Sequence, residues 1–364
     1  MNRKTLALLT AVFTFTVGIV VAKLSLPRIQ HKEPPPGRPS SPVSDYKLSG
    51  PYTYENLTIF LIHGPDQPNS KLFVPLQEAM ERKAVVVHET SNVNELSIEN
   101  VSQTEEVLVQ AGDIVKGGQQ DRVLAVDLIM PARSGKLPID AFCVEQGRWR
   151  QRGQERTAQF GSSYDMATTK SLKMAAKQAK SQSGVWKEVG EAQSKLSRSV
   201  NTDVRSDVSR SSLQLALENK KVQESTAAYV TKLSSIVEGK SDVIGYVFAI
   251  NDKINSADLY YSNGLFSRFW PKLLKTTAIE AVAERSINDP LNEKSATEAA
   301  EASAEASAKA MKAFFADAER GEESTSDITD RTQMIKRASE KGLFFETRDL
   351  AQKGVWVHRS YLAK

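Results

Sequence analysis

The spacing of apolar residues changes once along this chain, and that change fixes the class of fold available to it. From Leu57 to Glu145 apolar residues fall in short alternating or continuous runs: Leu57 to Ile62, Ala84 to His88, Glu95 to Ile98, Glu106 to Gln110, Val123 to Met130 and Ile139 to Glu145. Runs of that length between turn residues predict strands, with one short helix, Leu76 to Arg82, among them. After Gly161 the spacing becomes helical. Ser162 or Ser163 is the expected cap of a helix over Tyr164 to Lys180, followed by helices over Val185 to Arg198 and Ser211 to Val237. A strand pair, Val243 to Asn251 and Ser256 to Tyr261, joins in hairpin fashion. Beyond it Phe266, Phe269, Trp270, Leu273 and Leu274 recur at threes and fours in a helix over Leu265 to Arg285, which starts or bends at Pro271. The class is α+β: a β-rich N-terminal half, as a sandwich or curled sheet, then a helical half containing a β-hairpin.

The N-terminus reads differently. Arg3 and Lys4 precede Leu6 to Ala22, whose only non-apolar residues are threonines and one glycine. That is the pattern of a signal peptide or, with Lys23 and Arg28 able to reach the interface, of a membrane anchor. Residues 1–23 are assigned to it, and the expected location is exported, periplasmic or held at the membrane by residues 5–22. Residues 24–47, with Pro34, Pro35, Pro36, Pro39 and Pro42, form a semi-rigid linker, since proline lacks the amide donor. The folded α+β part spans 48–290, β-rich over 48–150 and helical over 160–290. Residues 291–330 are an Ala/Glu-rich helix of low complexity, and 331–364 carry a last strand pair, Leu343 to Thr347 and Gly354 to Tyr361.

Cys143 is the only cysteine, which excludes an intrachain disulfide and a cysteine-based zinc site. His31, His63, His88 and His358 show no metal-binding spacing and are expected at surfaces or strand edges; neither a metal nor a cofactor is expected. Charge is distributed unevenly. Residues 150–221 hold 14 Lys and Arg against 7 acids, and residues 292–330 hold 10 acids against 4 bases. Lys170, Lys173, Lys177 and Lys180 lie along one helical face, which suits phosphate or anionic lipid but is ordinarily a solvated face. Aromatics are not interleaved with them, so no nucleic acid is expected.

Two dense motifs carry the chemistry. In the first, Gly112 to Arg122, the Gly117-Gly118 pair permits positive φ and an anion-binding nest of amides, with Lys116 and Arg122 supplying charge. It lacks the Lys-Ser/Thr and the following helix of a P-loop. The plainer reading is a wet hairpin turn. In the second, Phe142 to Arg150, Cys143 and Glu145 share a strand face, and Arg148 with Trp149 offers a guanidinium and a stacking surface. The plainer readings are a buried Cys143 and a Glu145 paired structurally to Arg122 or Arg148.

These motifs, with Tyr54-Glu55-Asn56-Leu57, Gln182 to Val189 and Trp270-Pro271-Lys272-Leu273-Leu274, resemble the bacterial ARG and rhodanese-phosphatase-superfamily-associated protein domain family over residues 48–290. The family's name records association with ADP-ribosylglycohydrolases and rhodanese or phosphatase-like proteins. The resemblance therefore implies a ligand such as ADP-ribose or another nucleotide derivative, to which Lys116, Arg122, Arg148 and Trp149 are chemically suited.

The expectation is a single polar site in which Lys116, Gly117, Gly118, Gln120, Arg122, Glu145, Arg148 and Trp149 bind an anionic small molecule or a protein partner without catalysis. The rival is a hydrolase using Asp113, Asp121 or Glu145 as acid or base. A third reading makes both motifs folding determinants of an envelope-associated protein, with Arg122, Glu145 and Arg148 buried in closed pairs.

Overall fold

A computed structural model describes residues 46–364 apart from 69, 91, 149–159 and 286–297. The N-terminal hydrophobic segment, the linker up to residue 45, His31 and Trp149 lie outside the described residues. Among the described residues no helix is long and apolar enough to cross a membrane.

In chain order the strands of the first half are β1 (Lys47–Tyr54), β2 (Leu57–His63), β3 (Val74–Pro75), β4 (Val85–Glu89), β5 (Glu95–Asn100), β6 (Val107–Val109), β7 (Asp113–Gly117), β8 (Arg122–Leu124), β9 (Leu128–Met130), β10 (Gly135–Cys143) and β11 (Phe160–Met166), with helix α1 (Leu76–Glu81) after β3. Then come α2 (Lys170–Met174), a π-helical turn over Ala175–Ala179, α3 (Gln182–Ser199), α4 (Leu213–Leu217) and α5 (Lys220–Leu233). The chain closes with β12 (Val243–Ile250), β13 (Lys253–Tyr260), α6 (Asn263–Ala283), α7 (Glu298–Glu319), β14 (Glu322–Asp327), β15 (Thr332–Ala338), β16 (Gly342–Asp349) and β17 (Val355–Ala363). The α+β class and the β-rich first half are as expected.

An antiparallel eight-stranded sheet runs β1-β2-β12-β13-β17-β16-β15-β14, so the expected hairpin, β12 and β13, is interior to it rather than an island among helices. The expected closing strands, β16 and β17, are likewise interior to this sheet, with β17 paired to β13. Helix α6 covers it through Phe269 stacked on Tyr260 at 4.9 Å and Trp270 edge-on to Tyr246 at 5.5 Å. The helix continues through Pro271, which is exposed, instead of starting there. Helix α7 docks through Phe315, fully buried and 4.9 Å from the Tyr361 ring.

The first-half strands form a six-stranded sheet, β11-β7-β8-β10-β5-β4, and a small sheet β3-β6-β9. The six-stranded sheet curls until Glu89 of its edge strand β4 reaches the Gly118 turn, where its carboxylate accepts from the Gln119 amide at 2.8 Å.

Three expected elements differ for identifiable reasons. The helix after Gly161 begins at Lys170, because residues 160–166 pair with β7 and the cap is Thr169, whose hydroxyl accepts from the Leu172 amide. The run Val123 to Met130 splits at Asp127, whose carboxylate accepts from the Ala111 amide and the Thr347 hydroxyl. The helix over Ser211 to Val237 breaks at Asn219, which caps α5. Strands β1, β3, β7, β14 and β15 were not expected; glycine, proline or polar and charged residues dilute their pattern, and pairing with neighbours supplies what local preference does not.

Candidate functional site

The two motifs do meet. Strands β7, β8 and β10 pair antiparallel with Arg122 opposite both Val115 and Cys143, which brings the Gly117-Gly118 turn beside the chain leaving β10 at Glu145. Gly117 and Gly118 have φ of 109° and 55°, values L side chains rarely adopt. A Cβ on Gly118 would stand 2.4 Å from the Phe160 ring.

What they build is closed, not open. Arg148 donates to Glu145 Oε2 at 2.6 Å and to the carbonyls of Gly118 and Gly117 at 3.2 and 3.3 Å, and lies 3.7 Å from Asp121. Gln120 donates to the Glu145 carbonyl at 2.8 Å. Arg122 donates to Gln120 Oε1 at 3.2 Å, to Cys143 Sγ at 2.7 Å and to Glu89 Oε2 at 3.4 Å. Glu145 and Asp121 are 0% exposed, Arg122 1% and Arg148 8%. The nest of amides is occupied by the chain's own carboxylates: the Gly117 amide donates to Asp121 at 2.8 Å, and Gln119 donates to Glu89 as noted. Among the described residues these groups are thus satisfied within the chain, and the polar site expected of the two motifs is a closed network.

The other named residues disperse. Lys116 is half-buried and pairs with Glu218 at 2.6 Å. Asp113, at the far end of β7, pairs with Lys272 at 2.7 Å and accepts from the Gln110 amide. Burial raises the Cys143 pKa, so the thiol is kept protonated against the nearby Arg122 charge and is a poor nucleophile.

The network carries a neighbouring feature that sequence reasoning missed. Asp121 accepts from the Ser212 hydroxyl at 3.2 Å, the Leu213 amide donates to the Val144 carbonyl at 3.0 Å, and the Ser211 hydroxyl donates to the Gln146 carbonyl at 2.7 Å. These bonds tie residues 211–213 to the end of β10. Gln193 of α3 adds bonds to the carbonyls of Arg210 and Ser212 at 3.0 and 3.1 Å. Between α3 and this segment lies a cleft of about 400 Å³, lined by Trp186, Gly190, Gln193, Arg205, Arg210 and Ser211 among others. Asp203 fixes both arginines, 2.8 Å from Arg210 and 3.4 Å from Arg205, and Arg205 also donates to Ser194 at 2.9 Å. A Cβ on Gly190 would meet nothing within 4 Å, so that wall is open. The lining offers an indole, guanidinium N–H groups, an amide and a hydroxyl. The signals were in the sequence, but residues 186 to 211 are spread over a helix and a polar loop, with no spacing that joins them.

A second missed cluster is wholly internal. His358 on β17, expected at an edge, is 1% exposed, with Asp127 Oδ2 2.7 Å from Nδ1 and Asp258 Oδ1 3.2 Å from Nε2. Burial disfavours the imidazolium, but the two carboxylates outweigh it and raise the His358 pKa to about 9. Burial likewise opposes the Asp127 charge, and His358 nonetheless holds that carboxyl well below its ordinary range. Lys177, expected on a solvated face, is buried over the Phe345 ring at 4.5 Å, and desolvation lowers its pKa despite Asp127 and Asp258. Among the described residues no group of three or more His, Cys, Asp or Glu is arranged to hold a metal.

The model of a family described as the ARG and Rhodanese-Phosphatase-superfamily-associated Protein domain matches residues 45–362, which takes in the Ala/Glu-rich helix and the closing strands as well as the range 48–290 that carried the resemblance. Neither a curated protein nor a solved structure matches the chain.

Proposed function

We propose that this chain, which belongs to the ARG and Rhodanese-Phosphatase-superfamily-associated Protein domain family, acts as a binding domain for an anionic ligand with a flat face, held in the cleft between α3 and residues 203–211. One observation carries the reading: Trp186 stands in the same cleft as Arg205 and Arg210, whose guanidinium groups are already oriented by Asp203. Arginine matches phosphate or carboxylate geometry, and its fork loses little freedom when it is fixed beforehand. An indole supplies stacking area for a base-like ring. A nucleotide derivative has both parts, in keeping with the ADP-ribose-like ligand that the family name suggests.

In this reading the two motifs are the foundation of the cleft and not its contact surface. Their closed ion pairs favour the folding-determinant role, and they hold residues 211–213 where the cleft needs them. The charged start and apolar run of Arg3 to Ala22 support display outside the cytoplasmic membrane.

Thermal melting of the chain against nucleotides, ADP-ribose, phosphosugars and anionic lipid headgroups tests the proposal. A ligand at a hundredfold excess over its Kd adds about 2.7 kcal/mol of stability. Arg210→Ala, at an exposed side chain, should melt close to the parent, within about 0.5 kcal/mol, and lose the ligand shift. A shift that survives both Arg210→Ala and Arg205→Ala, or no shift with any compound of the panel, sinks it.

A further inference from the structure

The last strand of the large sheet is unusual in having no covered face. Strand β14 pairs on one side with β15, Glu322 opposite Ala338 through Asp327 opposite Gln333, and ends the sheet on its other side. All six of its residues are exposed, so water reaches both faces as well as the outer edge. The opposite edge strand, β1, is interrupted by Pro51 and a shift in register, whereas β14 holds no proline and offers an unbroken row of amides and carbonyls.

Its charge is one-sided. Between Arg320 and Asp330 stand Glu322, Glu323, Asp327 and Asp330 against the single base Arg320. Glu323 pairs with Arg337 at 2.7 Å and Asp327 accepts from Gln333 at 2.8 Å, which leaves each of these exposed carboxylates further acceptor capacity. A second copy of this chain fits poorly. Antiparallel self-pairing about Thr325 sets Glu323 against Asp327, and like charges directly opposite are destabilising. A strand with Lys or Arg at alternate positions meets acids instead. The same acids that guard the edge against its own kind thus select for a basic partner.

We infer that β14 is a docking edge for an extended basic peptide segment of a protein partner, joined by strand addition. This is independent of the cleft beside α3.

The test is fluorescence anisotropy of a labelled ten-residue peptide, Lys or Arg alternating with Val or Thr, against the full chain at low and high salt. A peptide with Glu in place of the bases serves as the counterpart. Binding of the basic peptide alone, weakened at least tenfold by Glu323→Lys with Asp327→Lys, which lie on one face, is expected, and the doubly substituted chain should instead take the acidic peptide. Ser324→Pro and Thr325→Pro each remove one amide, and successive amides point to opposite edges, so one of the two must abolish binding. Failure of the basic peptide to bind, equal binding by the charge-reversed chain, or binding that survives both proline variants overturns the inference.

Discussion

Asp127 and His358 stand 231 residues apart in the chain and 2.7 Å apart in the fold, an ion pair that joins the loop between β8 and β9 to the strand β17. The His358 pKa is raised from 6.5 to about 9, so its stabilisation is fully present below pH 6.5 and is lost as the pH rises through 9. That window is worth on the order of 3 kcal/mol. Lys177 acts the other way, since its lowered pKa means that deprotonation relieves a burial cost. Denaturant unfolding at pH 6, 8 and 10 should therefore show a fall in stability at the alkaline end for the parent. His358→Gln should be less stable at pH 6 and lack most of that fall.

Removing Arg148 leaves the Glu145 carboxylate buried and short of its closest cation at 2.6 Å. Arg148→Ala should cost about 3–5 kcal/mol, the usual consequence of breaking a buried pair. Arg148→Lys should recover only part of this, because a single ammonium cannot span Glu145 and the two glycine carbonyls. Chemical denaturation of both variants measures the difference; a loss below 1 kcal/mol for the alanine variant would contradict the closed network.

Gly245 on β12 faces β13 so closely that a Cβ would lie 2.5 Å from the Asp258 carbonyl oxygen and 2.9 Å from the Leu259 Cα. Both neighbours are backbone and cannot swing aside. Gly245→Ala should lower stability by about 1–3 kcal/mol, and more if β12 and β13 separate. Its effect should spread to amide exchange in β2 and β17, the outer neighbours of that pair.

Phe315 tests whether the Ala/Glu-rich helix belongs to the core. Its ring is fully buried against Tyr361, so Phe315→Ala should cost about 3–5 kcal/mol. Substituting exposed Ala313 by Ser on the same helix should change stability little, which separates docking of the helix from its helical preference.

Elements with a strong period were legible in the sequence: β2, α3, α6 and the β12–β13 hairpin fall within a few residues of expectation. The meeting of the two motifs was legible as well, because Arg122 opens and Cys143 closes strands that pair. Their closure was not, since a residue type says which bonds are possible and only the curl that brings Glu89 to the Gly118 turn decides which are made. His358 looked like an edge residue because strand order is a long-range property; β17 is interior only once β13 and β16 flank it. The cleft stayed hidden because Trp186, Arg205 and Arg210 come from a helix and an irregular loop, which share no period.

The position of β17 also bears on biosynthesis. It lies between β13 and β16, yet it follows every other strand in chain order. A nascent chain can assemble β1, β2, β12 and β13 on one side and β14, β15 and β16 on the other, but the two patches stay separate sheets with raw inner edges until β17 arrives. The charged core has the same timing, because Asp127 and Asp258 gain their hydrogen bonds to His358 only with β17. A chain lacking β17 would thus carry an open seam between β13 and β16.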